Sequence, residues 1–223
     1  MALEQGLKNK FMAISKGSNY IEDIDQGAML NYAKQLGVDR KDVGGVCWEL
    51  CRRWIAAFLR GGYVTGETAS YICTGIDPTS GGYGLDPKYM QELVNQHAKT
   101  RNNVDGNYDI KDMSRQESTE RTRSCCQFTV LRTRADVLNH IYKNPGVYVY
   151  TFTDTGTSGH AVAFALTGER IVFFDPNFGE FTVDGSTKTE RDKFLGWWKE
   201  FWGRYYKADF HKGERKLVRY TLN

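Results

Sequence analysis

Three side chains in this chain have the types and settings of a thiol nucleophile, its base and the group that orients the base: Cys47, His160 and Asp175. Cys47 follows Gly44-Gly45-Val46. It stands at the head of a run in which Trp48, Cys51, Ile55, Phe58 and Leu59 recur at the i, i+3, i+4, i+7 spacing of an amphipathic helix. A cysteine at the first turn of a helix lies among N–H groups that have no intrahelical partner, at the positive end of the macrodipole. That setting favours the thiolate, the form that attacks a carbonyl carbon. Cys47 also fits a plainer reading as a small buried hydrophobe, because free cysteine is among the most buried residue types. The helix alone does not choose between the two, so the base has to be sought elsewhere.

Of the four histidines, His97 and His140 fall in helical segments and His211 in a charged run near the C-terminus. His160 is different. It opens the apolar β-run Gly159 to Leu166, where an imidazole has no packing reason to be. The next apolar run, Arg170 to Asp175, ends on an aspartate, and Thr167-Gly168-Glu169 separates the two as a turn. A hairpin about that turn, centred near Gly168, sets position 160 opposite 175 or 176 and makes His160 and Asp175 cross-strand neighbours. Each residue has a simpler account on its own: a strand-edge histidine bonded to solvent, and a turn aspartate before Pro176. Together with Cys47 they form a Cys-His-Asp set.

The elements that must position these groups follow from the patterning. Residues 1–20 read as a weakly ordered lead-in, and Asp23 to Leu36 as a helix with Ile24, Met29, Leu30, Tyr32, Ala33 and Leu36 on its apolar side. After the cysteine helix come a short helix near Glu67 to Cys73 and a longer one capped by Asp86 with Pro87 at its first position. Asn102 to Arg123 is polar and aperiodic, a surface loop. From Ser124 the chain turns to strands, interrupted by a helix over Ala135 to Tyr142. A last helix, Lys188 to about Tyr206, has the buried stripe Phe194, Trp197, Trp198, Phe201 and Tyr205, before the closing strand Lys216 to Leu222. Helices first and antiparallel strands second describe an α+β domain, a helical N-terminal half packed on a sheet from the C-terminal half. With neither repeat nor linker, residues 1–223 read as one domain.

Composition narrows the function classes. A chain of 223 residues with 40% hydrophobic and 13% aromatic residues folds around a full core. The formal charge of +3 is too small and too evenly spread for a nucleic-acid binder, and no basic stripe interleaved with aromatics occurs. No run is long and apolar enough for a membrane span. The five cysteines, at 47, 51, 73, 125 and 126, fit neither a disulfide framework nor a zinc ribbon and read as reduced thiols. Neither metal nor organic cofactor is implied. Met1 to Tyr20 holds lysines without an apolar signal core, so the expectation is cytoplasmic residence or export by a route that reads no cleavable signal.

The residues around the three groups resemble the YopT/AvrPphB-type papain-like cysteine proteases, bacterial effectors injected into host cells. Gly44-Gly45-Val46-Cys47-Trp48-Glu49-Leu50 with Trp54-Ile55 looks like that family's nucleophile block, and Gly159-His160-Ala161-Val162-Ala163 like its histidine block. Phe173-Phe174-Asp175-Pro176-Asn177-Phe178-Gly179-Glu180-Phe181 looks like its aspartate block and is the most specific of the three. The resemblance spans residues 44–183. It implies a papain-like fold, Cys47 as nucleophile, His160 as base and then acid, and Asp175 as orienter. It also implies action in the host cytoplasm as a secreted virulence factor or toxin, on a host protein that is either a membrane-anchored small GTPase or a signalling kinase. A glutamine deamidase or transglutaminase would use the same triad, and a papain-fold binding module with a defunct site is the non-enzymatic rival. One departure stands out. Where papain-like enzymes carry a Gln or Asn oxyanion donor a few residues before the cysteine, this chain has Lys41 and Asp42. An ionised aspartate only accepts hydrogen bonds, so the oxyanion hole rests on the Cys47 backbone N–H with Lys41 or a Gly44-Gly45 amide.

Overall fold

Alternation along the strands decides the architecture. In β4 (Gly159–Thr167) the residues Ala161, Ala163 and Ala165 join one buried cluster, and Val162, Phe164 and Leu166 join another. The sheet is therefore covered on both faces. The computed structural model describes residues 2–21, 24–39, 44–59, 67–75, 84–100, 122–130, 134–154, 159–210, 213 and 215–222. Among these, β1 (Asn19–Ile21), β2 (Thr122–Val130), β3 (Gly146–Thr153), β4, β5 (Arg170–Asp175), β6 (Gly179–Asp184) and β7 (Arg215–Leu222) form a seven-stranded antiparallel sheet in the order β1-β6-β5-β4-β3-β7-β2. The closing strand is thus internal, paired to β3 on one side and β2 on the other.

The small-residue face receives α3 (Cys47–Leu59), with α2 (Gln26–Gln35), α4 (Glu67–Thr74) and α5 (Pro87–Thr100) around it. Leu50, Trp54, Ile55 and Ala56 of α3 are buried there, and Trp54 stacks on Phe174 of β5 at 5.7 Å between ring centroids. The alanines of β4 let this helix lie close to the strands: the Cys51 thiol reaches the Ala161 carbonyl at 3.3 Å. Widening Ala163 to leucine is expected to overpack this contact, costing about 1–3 kcal/mol and lifting Cys47 with its helix. The checks are a lowered melting temperature and a greater loss of activity than the unfolded fraction explains.

The opposite face carries an aromatic core. The helices α1 (Gln5–Met12), α6 (Arg134–Lys143), α7 (Lys188–Tyr205) and α8 (Lys207–Phe210) cover it. Phe164, Phe173 and Phe181 from the sheet meet Trp197, Trp198 and Phe201 from α7 at edge-on or tilted ring contacts. The stripe expected for α7 is found except at one place, where Trp202 is fully buried and Tyr205 is only half-buried.

Residues 1–20 are not a loose lead-in. Leu3, Leu7, Phe11 and Ile14 are buried against the aromatic face, and the α7 side chain Trp197 donates from Nε1 to the Leu7 carbonyl at 3.0 Å. The Glu4 amide donates to Tyr205 Oη at 2.9 Å, and Lys10 pairs with Glu200 at 2.6 Å. Beyond α1, the chain adds β1 to the edge of β6. The N-terminal segment is ordered because it buries four large apolar side chains, which offsets its conformational entropy.

The remaining expectations need only boundary changes. The helix read over Asp23 to Leu36 starts at Gln26, because Asp25 caps it by accepting from the amides of Gly27 and Ala28. Tyr32 and Leu36, expected inside, are exposed. The polar loop read over residues 102–123 falls outside the described residues as far as 121, and β2 begins at Thr122.

Candidate active site

Cys47 is the first residue of α3, and the carbonyl before it, on Val46, accepts the first helical hydrogen bond from the Leu50 amide at 3.0 Å. Its side chain is nearly buried at 7% exposure. Cys51 lies one turn further on, where burial and then the neighbouring Cys47 push it well above the ordinary thiol range. Cys51 therefore stays protonated and serves as a donor to the strand, not as a nucleophile.

The hairpin between β4 and β5 pairs Thr167 with Arg170 and Ala163 with Phe174. The turn is centred between Gly168 and Glu169, half a residue later than the sequence reading put it. That half residue matters, because a hairpin centred on Gly168 would have pointed positions 160 and 175 to opposite faces. In the observed register Asp175 falls across from Val162, which shares a face with His160. The two are diagonal neighbours, not directly opposed, and their side chains meet with His160 Nε2 3.0 Å from Asp175 Oδ1.

The carboxylate takes only one ring nitrogen, and Cys47 at the head of α3 lies near enough to the imidazole to raise it. The site thus spans the end of the sheet: the thiol comes from the helix on the small-residue face, and the imidazole and carboxylate come from strand positions that face the aromatic side. Asp175 is fully buried. Its Oδ1 also accepts from the Asn177 amide at 2.9 Å, and its Oδ2 accepts from the Tyr206 hydroxyl at 2.7 Å. These donors hold the carboxylate in place beside the ring it serves. Tyr206 also stacks on the imidazole, with centroids 5.1 Å apart and planes 22° from parallel, and Phe152 closes the other side edge-on at 5.4 Å. Burial and the adjacent Asp175 carboxylate push the Tyr206 phenol well above its ordinary 10, so it acts as a hydrogen-bond donor throughout the physiological range.

Burial by itself would lower the His160 imidazole. The charges of Asp175 and Cys47, together with their hydrogen bonds to the ring, overcome that and raise it from 6.5 to about 10. Between those two values the native ring holds a proton that the unfolded chain has released, so folding stability falls as pH rises through this window. The contribution is complete below about 6.5 and gone above about 10. His160→Gln is expected to flatten this part of a melting-temperature profile.

The remaining candidates lie elsewhere. His97 is in α5 and His140 in α6, the latter edge-on to Tyr148 at 6.0 Å. Lys41, Asp42 and His211 are outside the described residues, as are the side chains of Cys125 and Cys126. Among the described residues no three His, Cys, Asp or Glu side chains are grouped to hold a metal ion. No helix among them is long and apolar enough to cross a membrane. Two partners of the carboxylate carry no separate signal in the sequence: Tyr206 and Asn177. Asn177 stands inside the aspartate block, and Tyr206 at the end of an aromatic stripe that accounts for it equally well by packing.

The chain is similar in fold to the Pseudomonas avirulence protein AvrPphB, with a TM-score of 0.50 and 13% identity over 79% of this chain and 91% of that one. Two further solved structures align less well. One is PatoxP, a cysteine protease-like domain of the Photorhabdus asymbiotica toxin PaTox, at a TM-score of 0.48 and 12% identity, covering 96% of this chain and 57% of that one. The other is the YopT domain of the Pasteurella multocida PfhB2 toxin, at a TM-score of 0.24 and 22% identity, covering 89% and 93%. No curated protein matches in sequence. An α+β scaffold with a helix-opening thiol near a buried imidazole and carboxylate has the groups that thiol-dependent acyl chemistry uses. The particular family follows from sequence: residues 88–223 match Peptidase_C58, the Yersinia/Haemophilus virulence surface antigen family, and the chain belongs to it. The match includes His160 and Asp175 and begins after Cys47.

Proposed function

We propose that residues 1–223 form one papain-like domain, a cysteine endopeptidase that cleaves a specific host protein through Cys47, His160 and Asp175 as a bacterial effector acting in the host cytoplasm. The observation that carries this reading is the buried His160–Asp175 hydrogen bond of 3.0 Å, with Cys47 at the head of α3 near enough to raise the imidazole. In this reading the Cys47 thiolate attacks the scissile carbonyl carbon, and the electron pair of the C=O bond moves onto oxygen. The oxyanion meets the backbone N–H of Cys47, one of the helix-opening amides without an intrahelical partner. Lys41 or the neighbouring segment would supply the second donor. As the C–N bond breaks, the His160 imidazolium gives its proton to the leaving amine, and a thioester remains on Cys47. Water then attacks the thioester, giving a proton back to His160 and releasing the carboxylic acid and the thiolate. Asp175 keeps the ring oriented throughout.

The substrate would be a membrane-anchored small GTPase or a signalling kinase. The test compares protein N-termini in cells expressing wild type and Cys47→Ala. New N-termini confined to wild type support endoproteolysis. A mass gain of about one dalton at a glutamine, with no new terminus, would replace it with deamidation. Neither change would leave a binding module.

A further inference from the structure

The segment carrying Cys47 and the turn carrying Asp175 are joined through one side chain, that of Gln26 at the start of α2. It is 6% exposed. Its Oε1 accepts from the Val46 amide at 2.8 Å, and its Nε2 donates to Asn177 Oδ1 at 2.7 Å. Its own backbone amide donates to the Pro176 carbonyl at 2.8 Å, which locks α2 to the aspartate turn. Gly45 makes room for it: a Cβ at that position would lie 3.0 Å from Gln26 Oε1 and 3.4 Å from its Cδ.

The polarity of this connection is fixed from one end to the other. The Val46 amide can only donate, so the glutamine oxygen must face it and the glutamine nitrogen must face Asn177. Asn177 then turns its own oxygen to Gln26 and its Nδ2 to Tyr206 Oη, 3.4 Å away. With its oxygen accepting, Tyr206 donates to Asp175 Oδ2 at 2.7 Å. Asp175 Oδ1 takes His160, and His160 meets Cys47, the residue after Val46. The hydrogen bonds form a continuous chain from the Val46 amide to His160 in which each group's direction is set by its neighbour, an arrangement that strengthens its members together.

We propose that Gln26 is a positioning residue for the thiol–imidazole pair: by spanning from the Val46 amide to Asn177 it sets the distance between Cys47 and His160 across the end of the sheet. The inference rests on the proposed roles of Cys47 and His160, and it goes beyond them to a residue that meets no reacting atom. Both functional ends and the full length of the side chain are needed. Gln26→Met keeps the shape and removes both hydrogen bonds. Gln26→Asn keeps the amide and cannot span both segments.

The test is the rate of iodoacetamide alkylation at Cys47, followed by peptide mass mapping at pH 6 and pH 9, in wild type, both variants and His160→Ala. Because a displacement of about 1 Å at a reacting pair can cost as much as 10²-fold, a fall on the order of tenfold is expected at pH 6 for both variants. At pH 9, where an ordinary thiol is ionised in any case, their rates should match wild type. Buried Cys51 and Cys73 are internal controls, since loosening of the fold would expose them. Rates within twofold of wild type at pH 6, with His160→Ala slow, overturn the role of Gln26 and leave the reading of the site standing. So does a loss at pH 6 that comes only with labelling of Cys51 and Cys73 in both variants. If His160→Ala labels as fast as wild type, the reading of the site falls, and the inference falls with it.

Discussion

Cys47→Ala is expected to abolish proteolysis, and His160→Ala to lower it to nearly the same floor, a loss on the order of 10⁴–10⁶ in kcat with no further loss in the double variant. The reason is geometric. In the proposed mechanism Cys47 and His160 act on one proton, so removing either leaves the other with nothing to act on. The next thiol along the helix cannot substitute. Cys51 is fully buried, is pushed up by burial and by Cys47, and spends its S–H on the Ala161 carbonyl. The check is turnover of a cleaved host protein by purified single and double variants. A double variant tenfold or more below either single would mean that the two side chains work independently.

Asp175 separates charge from geometry. Asp175→Asn keeps an acceptor for His160 Nε2 and removes the carboxylate charge that lifts the ring. In wild type the alkaline limb of activity against pH is expected where His160 gives up the proton destined for the leaving amine, near the raised value of about 10. In the asparagine variant this limb is expected to move down toward 6.5, the ordinary imidazole value. Asp175→Ala removes both effects and leaves the Tyr206 hydroxyl and the Asn177 amide without their buried acceptor. It is expected to lose roughly 10²–10⁴ in kcat. A limb that stays near 10 in Asp175→Asn would show that the carboxylate charge does not set the His160 proton.

The parts of the site that belong to periodic elements were legible in the sequence. Cys47 announced itself by the helix behind it, and His160 by being polar at the head of an apolar strand. Asp175 could be tied to His160 because a short turn fixes which residues of two strands can meet. The register estimate missed by half a residue, since the sequence does not say whether the turn is centred on Gly168 or beyond it. The N-terminal helix reads poorly from sequence because its lysines and low overall hydropathy hide a sparse stripe. Leu3, Leu7, Phe11 and Ile14 recur at helical spacing, and that was the available signal. Trp202 and Tyr205 compete for the same stripe of α7, and only the aromatic neighbours decide which turns inward. Gln26 was beyond reach in principle. A polar residue at a helix start acquires its role from two loops distant in sequence, and nothing in its own surroundings records that.

The most direct test of the account is the alkylation rate of Cys47 by iodoacetamide across pH, mapped by peptide mass in wild type and His160→Ala. Wild type should label Cys47 at pH 6 nearly as fast as at pH 9, with Cys51 and Cys73 untouched. His160→Ala should fall on the order of 100-fold at pH 6, to the rate of an unassisted thiol with its ordinary ionisation near 8.5. A Cys47 in the native wild type that labels no faster at pH 6 than the buried Cys51 or Cys73, or a rate unchanged by His160→Ala, would contradict the account.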